Sequence, residues 1–336
     1  MKKSLFLFTA ILMLVMFADC QTGQKDPPIL KGPYLGQKPP GMTPEIFAPG
    51  FVSTGLEESV LTFMPDGREC YWSILLSGFE TILTSRLENG KWSEPEVALF
   101  SGQYYDGWPA LQPDGRRMFF HSSRPRPNGN PGITAKYNIW YVDRIENGWS
   151  EAKIVGEPVN GSENATCPSL TKNGTIYISK RFKDDTEKLC RSEFFNGTFR
   201  ELEILPEYVN PLQYNFHGAV SPDERFLVRP LYGRKDSIGD GWNFYVSFRN
   251  GDGQWSEMIH LGKEVNSVMC AGASSFSADG KYFFFQARVP AKNTLALERK
   301  NSLKELLDNE IRNPAKGSAD IYWIDVKIIE GVKPKE

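Results

Sequence analysis

Apolar and polar positions along this chain alternate in a way that predicts strands and almost no helices. Short runs rich in Val, Ile, Phe, Tyr and Trp are separated by clusters of Gly, Asn, Asp and Pro, the pattern of strands joined by tight turns. Two turn patterns recur in alternation. The first is Pro-Asp-Gly or a variant, followed by an apolar run. It stands at Pro65-Asp66-Gly67, Pro113-Asp114-Gly115, Lys172-Asn173-Gly174, Pro222-Asp223-Glu224 and Ala278-Asp279-Gly280. The second leads into Trp-Ser-Glu, at Trp92-Ser93-Glu94, Trp149-Ser150-Glu151 and Trp255-Ser256-Glu257, with a weaker copy at Phe199-Arg200-Glu201.

Asn-Gly and Asp-Gly supply the positive φ angles of hairpin turns, so each unit reads as four antiparallel strands. Strand a precedes the Pro-Asp-Gly turn and strand b follows it. Strand c is aromatic, as in 138–144 and 243–249, and strand d follows the second turn. Four-stranded units repeating at 48 to 59 residues, measured between Asp66, Asp114, Asn173, Asp223 and Asp279, are the blades of a propeller. The prediction is an all-β, five-bladed β-propeller over 42–330. A sixth, degenerate blade finds no residues to build it. The fifth unit lacks its own strand d, and Pro44-Glu45-Ile46-Phe47-Ala48 resembles one. The N-terminal strand is therefore expected to close the ring, which removes the open sheet edge. An insertion near 293–312 begins with a capping box at Ser302-Leu303-Lys304-Glu305 and predicts one amphipathic helix. A second, Gly/Pro-rich insertion covers 125–137.

The Pro-Asp-Gly turns, the aromatic b strands ending in Arg (121–125) and the Asp/Asn-apolar-aromatic openings of strand c resemble the TolB-type, WD-like β-propeller repeat. The resemblance implies an interaction platform, an accessory domain or, occasionally, a polysaccharide lyase. No catalytic motif of those enzymes is matched.

Residues 1–20 pair Lys2 and Lys3 with an apolar run from Leu5 to Ala18, the layout of a signal peptide and short for a membrane span. Cys20 after it resembles the lipidation site of bacterial lipoproteins, although Asp19 stands where that pattern has a small residue. Export to the periplasm or outer membrane, with lipidation at Cys20, is expected. The stretch 21–41 reads as a flexible tether. Charge narrows the partners. A net charge of −2 lacks the basic excess of a nucleic-acid binder, so none is expected, and the membrane is reached only through the anchor. Cys70, Cys167, Cys190 and Cys270 allow three pairings. They fall in different strands or blades, and free thiols are expected.

Candidate chemistry gathers where strand a enters, because these positions differ between units while the turns stay alike. They are Glu58, then Tyr104, Tyr105, Asp106 and Trp108, then Glu163, then Tyr214, Asn215, Phe216 and His217. Three uses remain open. Asp106, Glu163 and His217, with Glu58, are candidates for acid/base work on a glycosidic bond. The aromatic residues suit stacking on a sugar or peptide. Both sets also suit packing alone. Arg124, Arg181, Arg234 and Arg288 recur at the end of strand b, where they suit either bridging the b–c connection or binding an acidic ligand. Asn160, Asn210 and Asn266 end strand d and suit turn organisation. No zinc spacing, P-loop, GxGxxG or GxSxG occurs, and no cofactor or metal is expected. The function expected is binding of a glycan, peptide or envelope protein by a monomer. The alternative is a glycoside hydrolase or polysaccharide lyase acting at the central channel entrance.

Overall fold

The computed structural model describes residues 30–127, 136–211, 217–239, 241–288, 302–303, 314 and 318–334. The chain folds as a five-bladed β-propeller. Blade 1 has strands a to d at Glu57–Phe63, Glu69–Leu76, Phe79–Glu88 and Glu96–Val97. Blade 2 has Asp106–Leu111, Arg117–Ser122, Asn138–Ile145 and Lys153–Ile154. Blade 3 has Ala165–Leu170, Ile176–Arg181, Glu187–Ser192 and Glu203–Ile204. Blade 4 has Ala219–Val220, Phe226–Tyr232, Trp242–Phe248 and Ile259–His260. Blade 5 takes Met269–Phe276, Tyr282–Arg288 and Asp320–Asp325, and its strand d is Glu45–Ile46 from the N-terminal side. There Glu45 pairs with Trp323 and Ile46 with Tyr322, so the ring closes as the repeat predicted. The helix expected near 293–312 lies outside the described residues, apart from Ser302 and Leu303.

The b strands are apolar on both faces because each lies between two neighbouring blades. Tyr71 faces the seam between blades 1 and 2, while Cys70 and Trp72 face the seam between blades 5 and 1. Phe119 and its neighbours Met118 and Phe120 divide in the same way. The core is thus a set of separate apolar clusters, one per seam. The Trp-Ser-Glu aromatics brace these seams: Trp149 donates its indole N–H to Tyr71 of the preceding blade (2.7 Å), and Trp255 packs edge-on against Tyr177.

The Pro-Asp-Gly turns behave as the repeat predicts. Gly67, Gly115, Gly174 and Gly280 have φ between +67° and +86°. Glu224 takes the same left-handed conformation at φ +60°, which costs a non-glycine residue about 1 kcal/mol. Its buried carboxylate offsets that strain by accepting from Tyr177 Oη (2.6 Å), Arg191 (3.1 Å) and Arg249.

The folded body begins earlier than expected. Leu35 is fully buried, and the Tyr34 ring lies 4.8 Å from Phe63. Trp92 donates its indole N–H to the Gly32 carbonyl (2.8 Å). The span 21–41 therefore joins the propeller from Leu30 onward, because its few apolar residues fill the groove at the closing seam. Cys70, Cys167 and Cys190 are free thiols, as expected.

Every strand d is two residues long, and a side chain completes its work. Asn160 Oδ1 accepts from Ile139 N (2.8 Å), and its Nδ2 donates to the carbonyls of Ile139 (2.8 Å) and Val155 (2.6 Å). Asn210 holds Leu189 in the same way (2.9 and 3.2 Å), and Asn266 holds Phe244 (2.7 and 3.3 Å). In the remaining blades the clasp is a serine: Ser101 accepts from Ile82 N (3.0 Å), and Ser53 bonds both polar groups of Ile321 (3.2 Å each). Asn160→Ala leaves buried main-chain groups without partners and is expected to cost about 3 kcal/mol in urea unfolding. Asn160→Ser, the residue used by two other blades, is expected to cost clearly less; equal losses would show that a hydroxyl does not replace the carboxamide in this blade.

Candidate functional site

Four of the five a strands carry a bulge, and the bulged residue is left-handed or close to it. Register shifts fall at Ser59/Leu61, Gly107/Ala110, Thr166/Ser169 and Cys270/Ser274. The residues concerned are Val60 (φ +29°), Trp108 (φ +57°), Cys167 (φ +55°) and Gly272 (φ +119°). His217 stands at this position in blade 4. Bulges re-aim a side chain, and here they aim it at the axis. The Trp108 ring lies 3.9 Å from that of His217, edge to face. Blades 2 and 4 are not neighbours, so this contact crosses the channel. Trp108 is pinned by its own N–H, which donates to Ser73 Oγ of blade 1 (2.9 Å). Deeper along the axis, the channel keeps a cavity of about 40 Å3 lined from every blade by Val60, Ala110, Ser169, Val220 and Ser274. That is room for little more than a water, so the channel below Trp108 admits no larger molecule.

His121 repeats in blade 2 what Ser73 does in blade 1. Its Nδ1 accepts the Cys167 N–H (3.5 Å), which leaves Nε2 to donate to Glu80 Oε2 (3.0 Å). The imidazole also stacks on Trp108 at 6.3 Å and tilts over Tyr137 at 4.9 Å. Glu80 lies directly on the Gly107 backbone, where an added Cβ would fall 2.1 Å from its carboxyl carbon. Burial pushes the Tyr137 hydroxyl up, and the charges of Glu80 and Tyr105 push it further. Tyr105 in turn packs on Phe79 at 5.1 Å. Trp108, Tyr105, Tyr137, Glu80 and His121 thus form one half-buried cluster at the mouth of the channel. Among the described residues the Trp108 indole N–H and the Tyr105 and Tyr137 hydroxyls make no hydrogen bond.

His121, Glu80 and Tyr137 are not among the candidates read from the sequence. The last two occupy one repeat position, two residues before the clasped Ile82 and Ile139 of strand c. Alignment on the start of strand c carries that signal, and alignment on strand a does not.

The other candidate residues are dispersed. Asp106 is fully buried and ion-paired to Arg124 at 2.8 Å; burial pushes its carboxyl up and Arg124 draws it back. Glu163 is on the surface and accepts from Ser162 (2.6 Å). His217 donates from Nε2 to the Gly272 carbonyl, and burial pushes its imidazole down to about 3, so it is neutral in the ordinary pH range. The three candidates for acid/base work are each bonded to a different partner. Tyr104 and Tyr105 point apart: Tyr104 lies under the Arg124 guanidinium (5.4 Å) at the outer seam, not at the channel. The arginines hold their own blades, except that Arg288 of blade 5 reaches blade 1. Arg181 pairs with Asp185 and Glu187 (3.7 Å each), Arg234 with Asp236 (3.2 Å) and Arg288 with Glu57 (3.4 Å). Tyr214, Asn215 and Phe216 lie outside the described residues. Among the described residues no group of His, Cys, Asp and Glu is placed to hold a metal ion.

No protein-family model matches the chain, and no curated protein does. Solved structures similar to it include TolB from Acinetobacter baumannii, at 19% identity over 70% of this chain and 50% of that one, with a TM-score of 0.45. The chain spans half the length of that protein. The catalytic domain of a GH62 α-L-arabinofuranosidase from Coprinopsis cinerea is 12% identical over 85% of this chain and 97% of that one, with a TM-score of 0.47. A putative TolB from Agrobacterium tumefaciens is 14% identical over 80% and 90%, with a TM-score of 0.44. These likenesses are of fold alone.

Glu58 is the most perturbed carboxyl. It is fully buried, accepting from Thr54 N (3.1 Å) and Thr54 Oγ1 (2.5 Å). Burial, with a smaller push from Asp320, raises its carboxyl to about 7. A raised acid holds its proton in the folded state after the unfolded chain has released it. Stability is therefore full below the ordinary carboxyl range and falls as pH rises to about 7, by about 3 kcal/mol in all. Urea unfolding at pH 5 and pH 8 is expected to show this loss in the native protein and a much flatter profile in Glu58→Gln. Parallel profiles for the two proteins would assign the pH dependence elsewhere.

Proposed function

We propose that this protein is an exported binding propeller that holds a hydroxyl-rich ligand, a glycan, at the mouth of its central channel. The observation that carries this reading is Trp108, held left-handed across the axis with its ring on His217. Left-handed backbone at a bulky residue is a cost that a site can exploit, and it fixes an indole face where a sugar ring stacks. The tips of Trp108, Tyr105 and Tyr137 and the Glu80 carboxylate supply the few oriented polar groups that a pocket needs for specificity. The acid/base alternative has less behind it. Asp106 is neutralised by Arg124, His217 is neutral and donating, and Glu163 stands apart on the surface. Export rests on the Lys2-Lys3 and Leu5–Ala18 pattern, and lipid anchoring on Cys20.

The test is thermal melting of the purified protein against a panel of oligosaccharides. A ligand of the folded state raises the melting point with occupancy. Trp108→Ala is expected to weaken binding of the active sugar at least about tenfold, the scale of one lost aromatic platform. Tyr104→Phe, at the outer seam, is expected to change nothing. Gly107→Ala, which displaces Glu80 and leaves Trp108 in place, is expected to weaken binding as well. Indifference of the native protein to every sugar, or full binding by Trp108→Ala, overturns the reading.

A further inference from the structure

Glu80 has no Lys or Arg partner among the described residues, and unlike Glu58, which shares that lack but is fully buried, it reaches solvent. Asp106 has Arg124 at 2.8 Å, Glu57 has Arg288 at 3.4 Å, and Glu187 has Arg181 at 3.7 Å. The only partner of Glu80 among the described residues is His121. Its side chain is 16% exposed, so it reaches solvent. The cations on the b strands of blades 3 and 4 are bonded elsewhere: Lys180 to the Pro158 carbonyl (3.4 Å), and Arg229 to Asn210 (2.8 Å) and the Val209 carbonyl. His121 is held as a donor by the Cys167 N–H on its other nitrogen.

We propose that the channel mouth recognises an ammonium group, and that the glycan it takes is an amino sugar with a free amine. This rests on the reading of the mouth as a glycan site. Glu80 is the counter-ion, and the faces of Trp108, Tyr105 and Tyr137 form the walls of the cage. A carboxylate without a cation of its own attracts one, and aromatic faces stabilise the same charge through their quadrupoles. Desolvation in a half-buried cup strengthens both effects. An acetylated amine loses the charge and gains bulk, so the cage discriminates against it. Gly107 belongs to this device, since any side chain there drives Glu80 off its place against the backbone.

Calorimetric titration with glucosamine oligomers, N-acetylglucosamine oligomers and neutral glucose oligomers of one length tests this, at a pH where the amine is protonated. The free-amine oligomer is expected to bind about tenfold or more tightly than the other two. Glu80→Gln, which keeps an acceptor for His121, is expected to erase that preference, so that free-amine and neutral oligomers bind alike. Equal affinity for amine and neutral oligomers overturns the proposal and leaves the glycan reading standing. Binding of tetramethylammonium in competition with no sugar bound at all upholds the cage and overturns the glycan reading. An amine preference that survives in Glu80→Gln overturns the assignment to Glu80. Silence from sugars and tetramethylammonium alike overturns both.

Discussion

A carboxamide or hydroxyl standing in for a third strand residue holds every blade together. The outer strands are two residues long, too short to secure strand c by main-chain bonds alone. Asn160, Asn210 and Asn266 each offer an oxygen and a nitrogen to one residue of strand c, Ser53 does the same with its hydroxyl, and the Ser101 hydroxyl accepts from Ile82 N. These groups are buried, so each bond is worth more kept than it would cost to make on the surface. The clasp also fixes where the chain leaves strand d, and therefore where the next strand a enters the channel. The geometry of the mouth follows from it.

Charge inside the molecule is used mainly to hold loops. Asp106 with Arg124, and Glu224 with Arg191 and Arg249, are closed networks whose members have few lone pairs or donors left over. Glu224 even replaces a turn glycine, and its ion pairs compensate for the strain. A ligand site needs the opposite: groups held firmly by one side and open on the other. Glu80 and Trp108 fit that description. One is fixed through His121 and the Gly107 backbone, the other through Ser73.

Much of the architecture was legible because turns and periodicity are local. Glycines at positive φ marked four of the five a–b hairpins, and the resemblance of 44–48 to a strand d disclosed the closure. The site was less legible because it is assembled across blades. Glu80 and His121 are 41 residues apart, and nothing in either neighbourhood marks them. Asp106 looked available because an acid before an aromatic residue reads alike whether it is exposed or paired. Tyr104 and Tyr105 are adjacent in sequence, yet a strand start sends them to different sides. Leu30 to Gly36 looked like a linker because Gly and Pro outweigh Tyr34 and Leu35 in composition, while packing responds to the two apolar rings and chains alone.

The bulge shared by the inner strands has an evolutionary corollary. It reserves one place per blade, at Val60, Trp108, Cys167, His217 and Gly272, and in blades 2 and 4 the side chains at that place meet across the axis while the sheet hydrogen bonds run through the neighbours. Folding and recognition are thereby written at separate positions of the same repeat. A lineage descended from duplicated blades can exchange the residue at any one of these places by a single codon change. It would acquire a different lining for the channel while inheriting the scaffold intact.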